Sequence, residues 1–154
     1  PSLLVKEEYV KGPKQPVRVV LDSKCSTPPE SRVLDGRART IIFTTQGNER
    51  PMKNAEVIPC GAGSRVDLEQ MLEKLDSMGI RKLLVEGGRT VIWSFVSGGH
   101  VREFKVFIGN KLIGGVGAPT PMDGDGFAEE NEFPELRLIR STMSGSGILL
   151  EFEA

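Results

Sequence analysis

The residues best suited to do chemistry in this 154-residue chain lie in the run Glu86-Gly87-Gly88-Arg89-Thr90. The apolar run Leu83-Leu84-Val85 precedes it, and apolar residues at helical spacing follow it, which predicts a buried strand that turns sharply into a helix. Glycines there let a ligand approach the backbone, and the first turn of a helix offers N–H groups to an anion such as a pyrophosphate. Glycines also suit a tight turn that binds nothing, so the motif alone leaves both interpretations open.

Glu86 favours the binding interpretation. A carboxylate at the end of an apolar strand must be solvated, paired with a cation or bound to something else. We therefore predict that Glu86 holds a polar substrate.

A second polar cluster follows the β-branched run Val17–Leu21, which predicts another buried strand. Ser23, Lys24, Cys25 and Ser26 would lie at the carboxyl end of this strand, where open α/β sheets bind their ligands. A hydroxyl beside an ammonium group suits a phosphate. The alternative is a turn closed by polar surface groups.

The remaining elements would position these two clusters. Strands are predicted at 40–45, 55–59, 82–85 and 101–108, an amphipathic helix at 67–78, and a closing hairpin at 136–143 and 148–152. A strand, a helix and a returning parallel strand form a crossover unit, so the fold class is α/β, with a mixed, mostly parallel sheet and a C-terminal antiparallel hairpin. We expect the bends after Leu21 and after Val85 to converge on one crevice wide enough for a dinucleotide.

Composition predicts one domain over residues 1–154. The hydrophobic share of 38%, the charged share of 27% and a net charge of −1 are ordinary for a globular protein and indicate neither nucleic acid nor membrane as a partner. No signal peptide or membrane-spanning run is apparent, which predicts a cytoplasmic protein. Cys25 and Cys60 are far apart in a chain with one histidine, so we expect free thiols, no disulfide and no metal site.

Two further motifs resemble binding sites, one for calcium and one for phosphate, but the sequence favours neither function. Asp123-Gly124-Asp125-Gly126 suggests a calcium loop, but Phe127 and Pro134 occupy the fifth and twelfth positions, where oxygen ligands are required. The scattered arginines of residues 32–39 are predicted to form a solvated face rather than a phosphate site. Trp93 and Phe95 are predicted to pack the core.

Four segments, in this order, carry a resemblance to a known family: Pro16–Lys24, Glu86–Thr90, Ala118–Thr120 and Asp123–Phe127. The chain resembles the pyrimidine reductases of riboflavin biosynthesis, which have the three-layer dihydrofolate-reductase-like fold and use NADPH. It is most similar to the archaeal single-domain form. Family members carry an opening strand, a substrate loop, a helix and a Thr/Asp-bearing cofactor segment before the equivalent of Pro1, so we expect this stretch alone to be a poor catalyst.

The resemblance implies NADPH-dependent reduction of the ribosyl group of a ribosylaminopyrimidine 5′-phosphate to a ribityl group, in a homodimer. It leaves open whether deamination precedes reduction. It assigns no general acid or base. The implied substrate residues are Leu3, Lys6 and Glu86, and the implied cofactor residues are Ser23, Lys24, Cys25, Ser26, Gly61, Gly87, Gly88, Arg89, Thr90, Val91 and Ser94.

Three alternatives stay open on sequence alone. A reductase of the same fold could act on a pterin or folate, a nucleotide-binding module could bind NADPH without turnover, or the chain could be a fragment whose front part lies elsewhere. Substrate profiling with NADPH separates the first two from the ribosylaminopyrimidine reductase.

Overall fold

The computed structural model describes residues 1–129 and 133–154, which form two compact units, Pro1–Lys82 and Leu83–Ala154. Each unit has its own sheet, and each is described by itself.

The first unit is built on a parallel three-stranded sheet with the order β1-β2-β3. Its strands are β1 (Arg18–Leu21), β2 (Thr40–Thr44) and β3 (Glu56–Pro59). All five residues of the central strand β2 are buried, as expected for an apolar strand with neighbours on both sides. The three predicted strands of this region are therefore confirmed.

One face of this sheet packs on a short 3₁₀ helix, Arg32–Leu34. Val33 and Leu34 of that helix form a buried cluster with Ile42 of β2. Apolar residues from four other segments pack against this cluster: Leu3, Val20, Met52, Ala55 and Val57.

A buried arginine ties this face together. The Arg18 side chain is fully buried, and its donors all have acceptors. Nε donates to Thr40 Oγ1 at 3.0 Å and Nη2 to the Ala38 carbonyl at 2.9 Å. Nη1 lies within hydrogen-bond distance of three oxygens: the carbonyls of Ser2 and Arg32 and the carboxylate of Asp35. The guanidinium thereby joins β1 to the Arg32–Leu34 turn and to the start of the chain.

Helix α1 (Leu68–Ser77) confirms the predicted amphipathic helix, and Asp67 is its N-cap. Asp67 accepts from the Gln70 backbone N–H at 3.1 Å, and the Gln70 side chain donates back to Asp67 at 3.0 Å. This reciprocal arrangement satisfies the first turn of the helix. Met71 and Leu75 are its buried residues.

The predicted strand at 82–85 is wrong. Residues 80–88 are irregular, and 36% of Leu83 and 79% of Leu84 are exposed. No strand among residues 1–129 and 133–154 pairs with this segment, and an apolar run forms a strand only where a neighbour satisfies its backbone groups. The crossover unit that it would have completed is therefore not formed, and the parallel and antiparallel strands lie in separate sheets.

The second unit contains helix α2 (Arg89–Ser97) and an antiparallel sheet with the order β4-β6-β5. The strands are β4 (Glu103–Ile108), β5 (Arg137–Ser144) and β6 (Gly147–Glu153). The predicted closing hairpin is confirmed as β5 and β6. No helix in the described part of the chain has the length and apolar content needed to cross a membrane.

The two faces of this antiparallel sheet differ in chemistry. Register and alternation place Phe104, Phe152 and Leu138 on one face. The other face carries ion pairs between strands, including Lys105 with Glu151 at 2.8 Å. This pair raises the pKa of Lys105 and lowers that of Glu151.

Candidate functional site

The carboxyl ends of the first unit's strands meet around Ser23. Its carbonyl accepts from the hydroxyls of Thr44 and Thr45, at 3.1 and 2.8 Å. Its own hydroxyl accepts from the Val66 N–H at 3.2 Å. A hydroxyl keeps one donor after accepting, so Ser23 retains an O–H that can donate to a phosphate.

The turn after Ser23 is held by Asp22. Its carboxylate accepts from the Thr27 N–H and hydroxyl, both at 2.6 Å, and from Ser26 Oγ at 3.1 Å. Burial by itself raises the pKa of the Asp22 carboxyl, but the hydrogen bonds from Thr27 and Ser26 outweigh it and hold the pKa below its ordinary value. Asp22, Thr44 and Thr45 therefore support the site. The sequence did not identify them as site residues, although Thr44 and Thr45 lie at the end of a predicted strand.

The four predicted residues of this turn differ in what they can offer a ligand. Lys24 is exposed and forms no ion pair within the described chain, so its ammonium is available. Cys25 is fully buried, with Sγ 3.9 Å from the Arg50 carbonyl, and only its backbone could reach a ligand. Ser26 is exposed, and its hydroxyl already donates to Asp22.

Gly61 lies at the same end of the sheet, where its carbonyl accepts from the Gln46 N–H at 2.9 Å. Its φ is +84°, and a Cβ there would come within 2.8 Å of Asp67 Cβ. The turn before α1 therefore explains this glycine without a ligand, and its cofactor role stays a prediction.

Leu3 and Lys6 lie in the opening segment. Leu3 packs on the buried cluster and has a φ of +51°, a conformation shared by Cys25 and Asn54 among the described non-glycine residues. Such strained backbone is often found at functional sites. Lys6 Nζ lies 2.9 Å from Glu8 and is exposed, so an incoming phosphate could replace that carboxylate.

In the second unit, Glu86 is exposed and has no hydrogen bond or ion pair to any described residue. Its carboxylate is therefore free to accept from a ligand. Gly87 is close to α2, since a Cβ on it would lie 3.3 Å from Val91 Cβ. Gly88 has open space around it and a φ of −71°, which any residue adopts. The fold does not require a glycine at position 88.

Helix α2 begins after Gly88 without a side-chain cap. The backbone N–H groups of Arg89 and Thr90 precede the first intrahelical bond, which Val91 N donates to Gly88 O. The Ser94 hydroxyl donates to the Thr90 carbonyl at 2.9 Å. These N–H groups are the part of the helix that can bind an anion.

Trp93 differs from its predicted core role. Its indole is partly exposed and contacts Phe127, with ring centroids 4.8 Å apart, whereas Phe95 is buried as predicted. Asp123 pairs with Arg89 at 2.9 Å. The sequence marks this aspartate as part of a segment that carries the family resemblance and as a rejected calcium ligand, and it does not predict the pairing with Arg89.

Arg37 and Arg39, two of the arginines predicted to form a solvated face, contact different carboxylates and do not form a shared phosphate site. Arg37 pairs with Asp35, and Arg39 pairs with Glu56. They lie before or at the start of β2, away from the strand ends that hold Ser23. Cys25 and Cys60 are free thiols, as predicted, and both are buried. Across residues 1–129 and 133–154, no group of three potential ligands could hold a metal ion.

The family model and the similar sequences place this chain in one family. Residues 1–150 match the RibD C-terminal domain. The 2,5-diamino-6-ribosylamino-4(3H)-pyrimidinone 5′-phosphate reductase of Methanothermobacter thermautotrophicus is 42% identical over 142 residues, which cover 89% of this chain and 65% of that protein. The protein of the same name from Archaeoglobus fulgidus is 33% identical over 150 residues, covering 90% of this chain and 68% of the relative.

Comparison with solved structures supports the same fold. A diaminohydroxyphosphoribosylaminopyrimidine deaminase/5-amino-6-(5-phosphoribosylamino)uracil reductase from Thermotoga maritima superposes with a TM-score of 0.78 at 26% identity, covering 99% of this chain and 41% of that one. The match confirms the predicted α/β reductase fold.

Proposed function

Because this chain belongs to the RibD C-terminal domain family, we propose that it is the NADPH-dependent reductase part of a riboflavin-pathway enzyme acting on a ribosylaminopyrimidine 5′-phosphate. The relatives' names support the substrate class. The chain spans 65% of the Methanothermobacter relative's length, so the activity proposed is that of the whole protein. The observation that carries the proposal is the exposed carboxylate of Glu86, which has no partner among the described residues and lies two residues before Gly88, a glycine with open space around it at the start of α2.

In this proposal the chain's residues bind and orient. The proposed cofactor residues would hold NADPH, which would supply a hydride to the anomeric carbon of the ribosyl group. The bond from that carbon to the ring oxygen would break, and the ring oxygen would take up a proton. Glu86 accepts hydrogen bonds from polar groups of the substrate. Lys6 pairs with the substrate phosphate, next to Leu3. We assign no side chain to the proton transfer, for which water suffices.

The cofactor contacts are proposed for both units. In the first unit, Ser23 and Lys24 donate to a cofactor phosphate through side chains, while Cys25, Ser26 and Gly61 contribute backbone groups. In the second unit, the free N–H groups at the start of α2 bind cofactor phosphates. The residues proposed for this second set are Gly87, Gly88, Arg89, Thr90, Val91 and Ser94, of which Arg89 and Thr90 supply the free N–H groups.

Replacing Gly88 with alanine tests the assignment of the helix start. The added methyl group meets no protein atom within 4 Å, so we expect the melting temperature to fall only by the small cost of placing alanine at the N-cap of α2. We expect the KM for NADPH to rise about fivefold, because the methyl group stands where a phosphate must approach the backbone. The matched control is Gly63→Ala, which also has open space around it. An unchanged KM for NADPH in Gly88→Ala would remove this residue from the site.

Transfer of deuterium tests the function itself. The purified full-length protein is incubated with NADPH deuterated at the transferred position and with the ribosylaminopyrimidine phosphate, in its deaminated and non-deaminated forms. Mass spectrometry should find one deuterium on the ribityl carbon bonded to nitrogen. Dihydrofolate and a dihydropterin serve as competing substrates. Faster turnover of either would favour the alternative reductase, and NADPH binding with no turnover would favour a binding module.

We also propose a homodimer that forms at the antiparallel sheet. Strand β5 is an edge strand that is exposed along its length, and it carries the exposed apolar residues Leu138, Ile139 and Met143. Exposed apolar edge strands commonly pair with another chain. Light scattering of the purified protein should therefore give twice the chain mass, and Leu138→Lys should shift it to the monomer. A monomeric wild type would contradict the proposal.

A further inference from the structure

The loop that contains Asp123-Gly124-Asp125-Gly126 lies against the first two turns of α2. The Asp123 carboxylate is 2.9 Å from Arg89 Nε, and the Asp123 N–H donates to the Arg89 carbonyl at 3.3 Å. One helical turn further on, Gly124 packs against the indole of Trp93, because a Cβ at position 124 would lie closer than 3 Å to three atoms of that ring. Phe127 packs on the same indole. The loop therefore contacts α2 at positions 89 and 93, which share one face of the helix.

These contacts leave part of the Arg89 guanidinium available. Nε lies 2.9 Å from the Asp123 carboxylate, and Nη1 and Nη2 form no hydrogen bond with the described residues. The Arg89 side chain is 51% exposed and that of Asp123 is 48% exposed. A long arginine side chain in solvent samples many rotamers, and holding it in one of them before binding reduces the entropy lost on binding. A carboxylate on Nε orients the two terminal nitrogens and leaves them open to an anion.

We propose that Asp123 is a positioning residue for the cofactor: it holds Arg89 so that the terminal guanidinium nitrogens meet a phosphate of NADPH. This inference rests on the proposed function and adds to it a residue from the Asp123–Phe127 loop. The loop is then a second support of the cofactor site, beside α2 itself, and Gly124 is required because it brings the loop into contact with Trp93.

Charge alone predicts the opposite result. Asp123 is an anion near a proposed anion site, so removing it should strengthen NADPH binding if its charge were all that mattered. Positioning predicts weaker binding. Asp125 is an exposed aspartate two residues away with no ion pair in the described chain, so Asp125→Ala is the matched control for charge.

The experiment measures NADPH dissociation constants of the full-length protein by calorimetry for Asp123→Ala, Asp125→Ala, Arg89→Ala and the double variant Arg89→Ala/Asp123→Ala. We expect Asp123→Ala to weaken binding about fivefold, with kcat at saturating NADPH retained, and Asp125→Ala to leave it within twofold. The double variant should bind as weakly as Arg89→Ala alone, because Asp123 acts only through Arg89.

Tighter binding by Asp123→Ala, or additive effects in the double variant, would overturn the inference. A purely structural role would lower the melting temperature and the active fraction without changing the dissociation constant, and would also overturn it. Asp123→Asn should recover part of the lost affinity because its amide oxygen can still face Arg89 Nε. If the unsubstituted protein does not bind NADPH, the proposed function fails, which is distinguishable from failure of the positioning role.

Discussion

Replacing Arg18 with methionine is expected to lower the free energy of unfolding by about 3–5 kcal/mol, because it removes a fully buried donor and each buried acceptor left unpaired costs about 1–3 kcal/mol. Methionine fills much of the same space but donates nothing. The variant leaves the Asp35 carboxylate without its buried partner. It also removes the donor for three backbone carbonyls, those of Ser2, Arg32 and Ala38. Chemical denaturation, with the midpoint and slope fitted together, measures the loss.

Arg37→Met is the matched control. Arg37 pairs with the same carboxylate at 2.6 Å, but its side chain is 64% exposed, and exposed ion pairs contribute about 0–1 kcal/mol. The two variants therefore remove the same charge next to Asp35 and differ in burial. Equal losses for Arg18→Met and Arg37→Met would show that the guanidinium network does not hold the first unit together.

The acid limb of the stability curve provides an independent measurement. The Arg37 backbone N–H, followed by its side chain and then Arg18, lowers the pKa of Asp35 from 3.8 to about 2. Since the folded value lies below the unfolded one, the stabilisation is present above pH 3.8 and is lost as the pH falls toward 2. In Arg37→Met the pKa of Asp35 should rise toward its ordinary value, and this part of the acid sensitivity should shrink.

Replacing Glu86 with glutamine is expected to raise the KM for the pyrimidine substrate by about 10–100-fold, because hydrogen bonds to a charged group contribute about 1.5–3 kcal/mol. The amide keeps the shape of the carboxylate but loses its charge and turns one acceptor into a donor. Stability should not change, since Glu86 has no partner among the described residues. Steady-state kinetics with each substrate varied in turn measures the effect.

Two comparisons separate substrate binding from other roles of Glu86. The dissociation constant for NADPH should stay the same, because the carboxylate is assigned to the substrate. Glu86→Asp keeps the charge and should recover part of the lost affinity. Glu73→Gln, which changes an exposed glutamate of α1, should behave as the unsubstituted protein. An unaltered KM in Glu86→Gln would remove Glu86 from the substrate site.

Elements that carry their own signals could be predicted from the sequence. Helix α1 was found because its apolar period, its Asp67 cap and its terminating Gly79 all agree. The strand at 82–85 was wrong because an apolar run specifies burial but not the neighbour that satisfies its backbone. The predicted crossover unit was also wrong, because it required residues 82–85 to pair with a parallel strand.

Those parts of the candidate site that consist of a turn or a helix start could be predicted, because glycines and polar residues after an apolar run indicate where the backbone turns. Gly88 before α2 and the turn after β1 are where the sequence places them. The supporting contacts were not predictable, because they join residues far apart in the chain: Val66 N to Ser23, or Asp123 to Arg89. Arg18 carried a usable signal, since a charged residue inside a predicted buried strand requires partners.

The two buried thiols provide the protein with an unfolding reporter that needs no added label. Both cysteines of the chain lie in the first unit, and burial raises the pKa of the Cys60 thiol, which keeps it protonated and unreactive. A thiol-specific reagent can therefore modify this unit only when it opens. Since the second unit has no cysteine, the rate of modification measures the opening of the first unit alone.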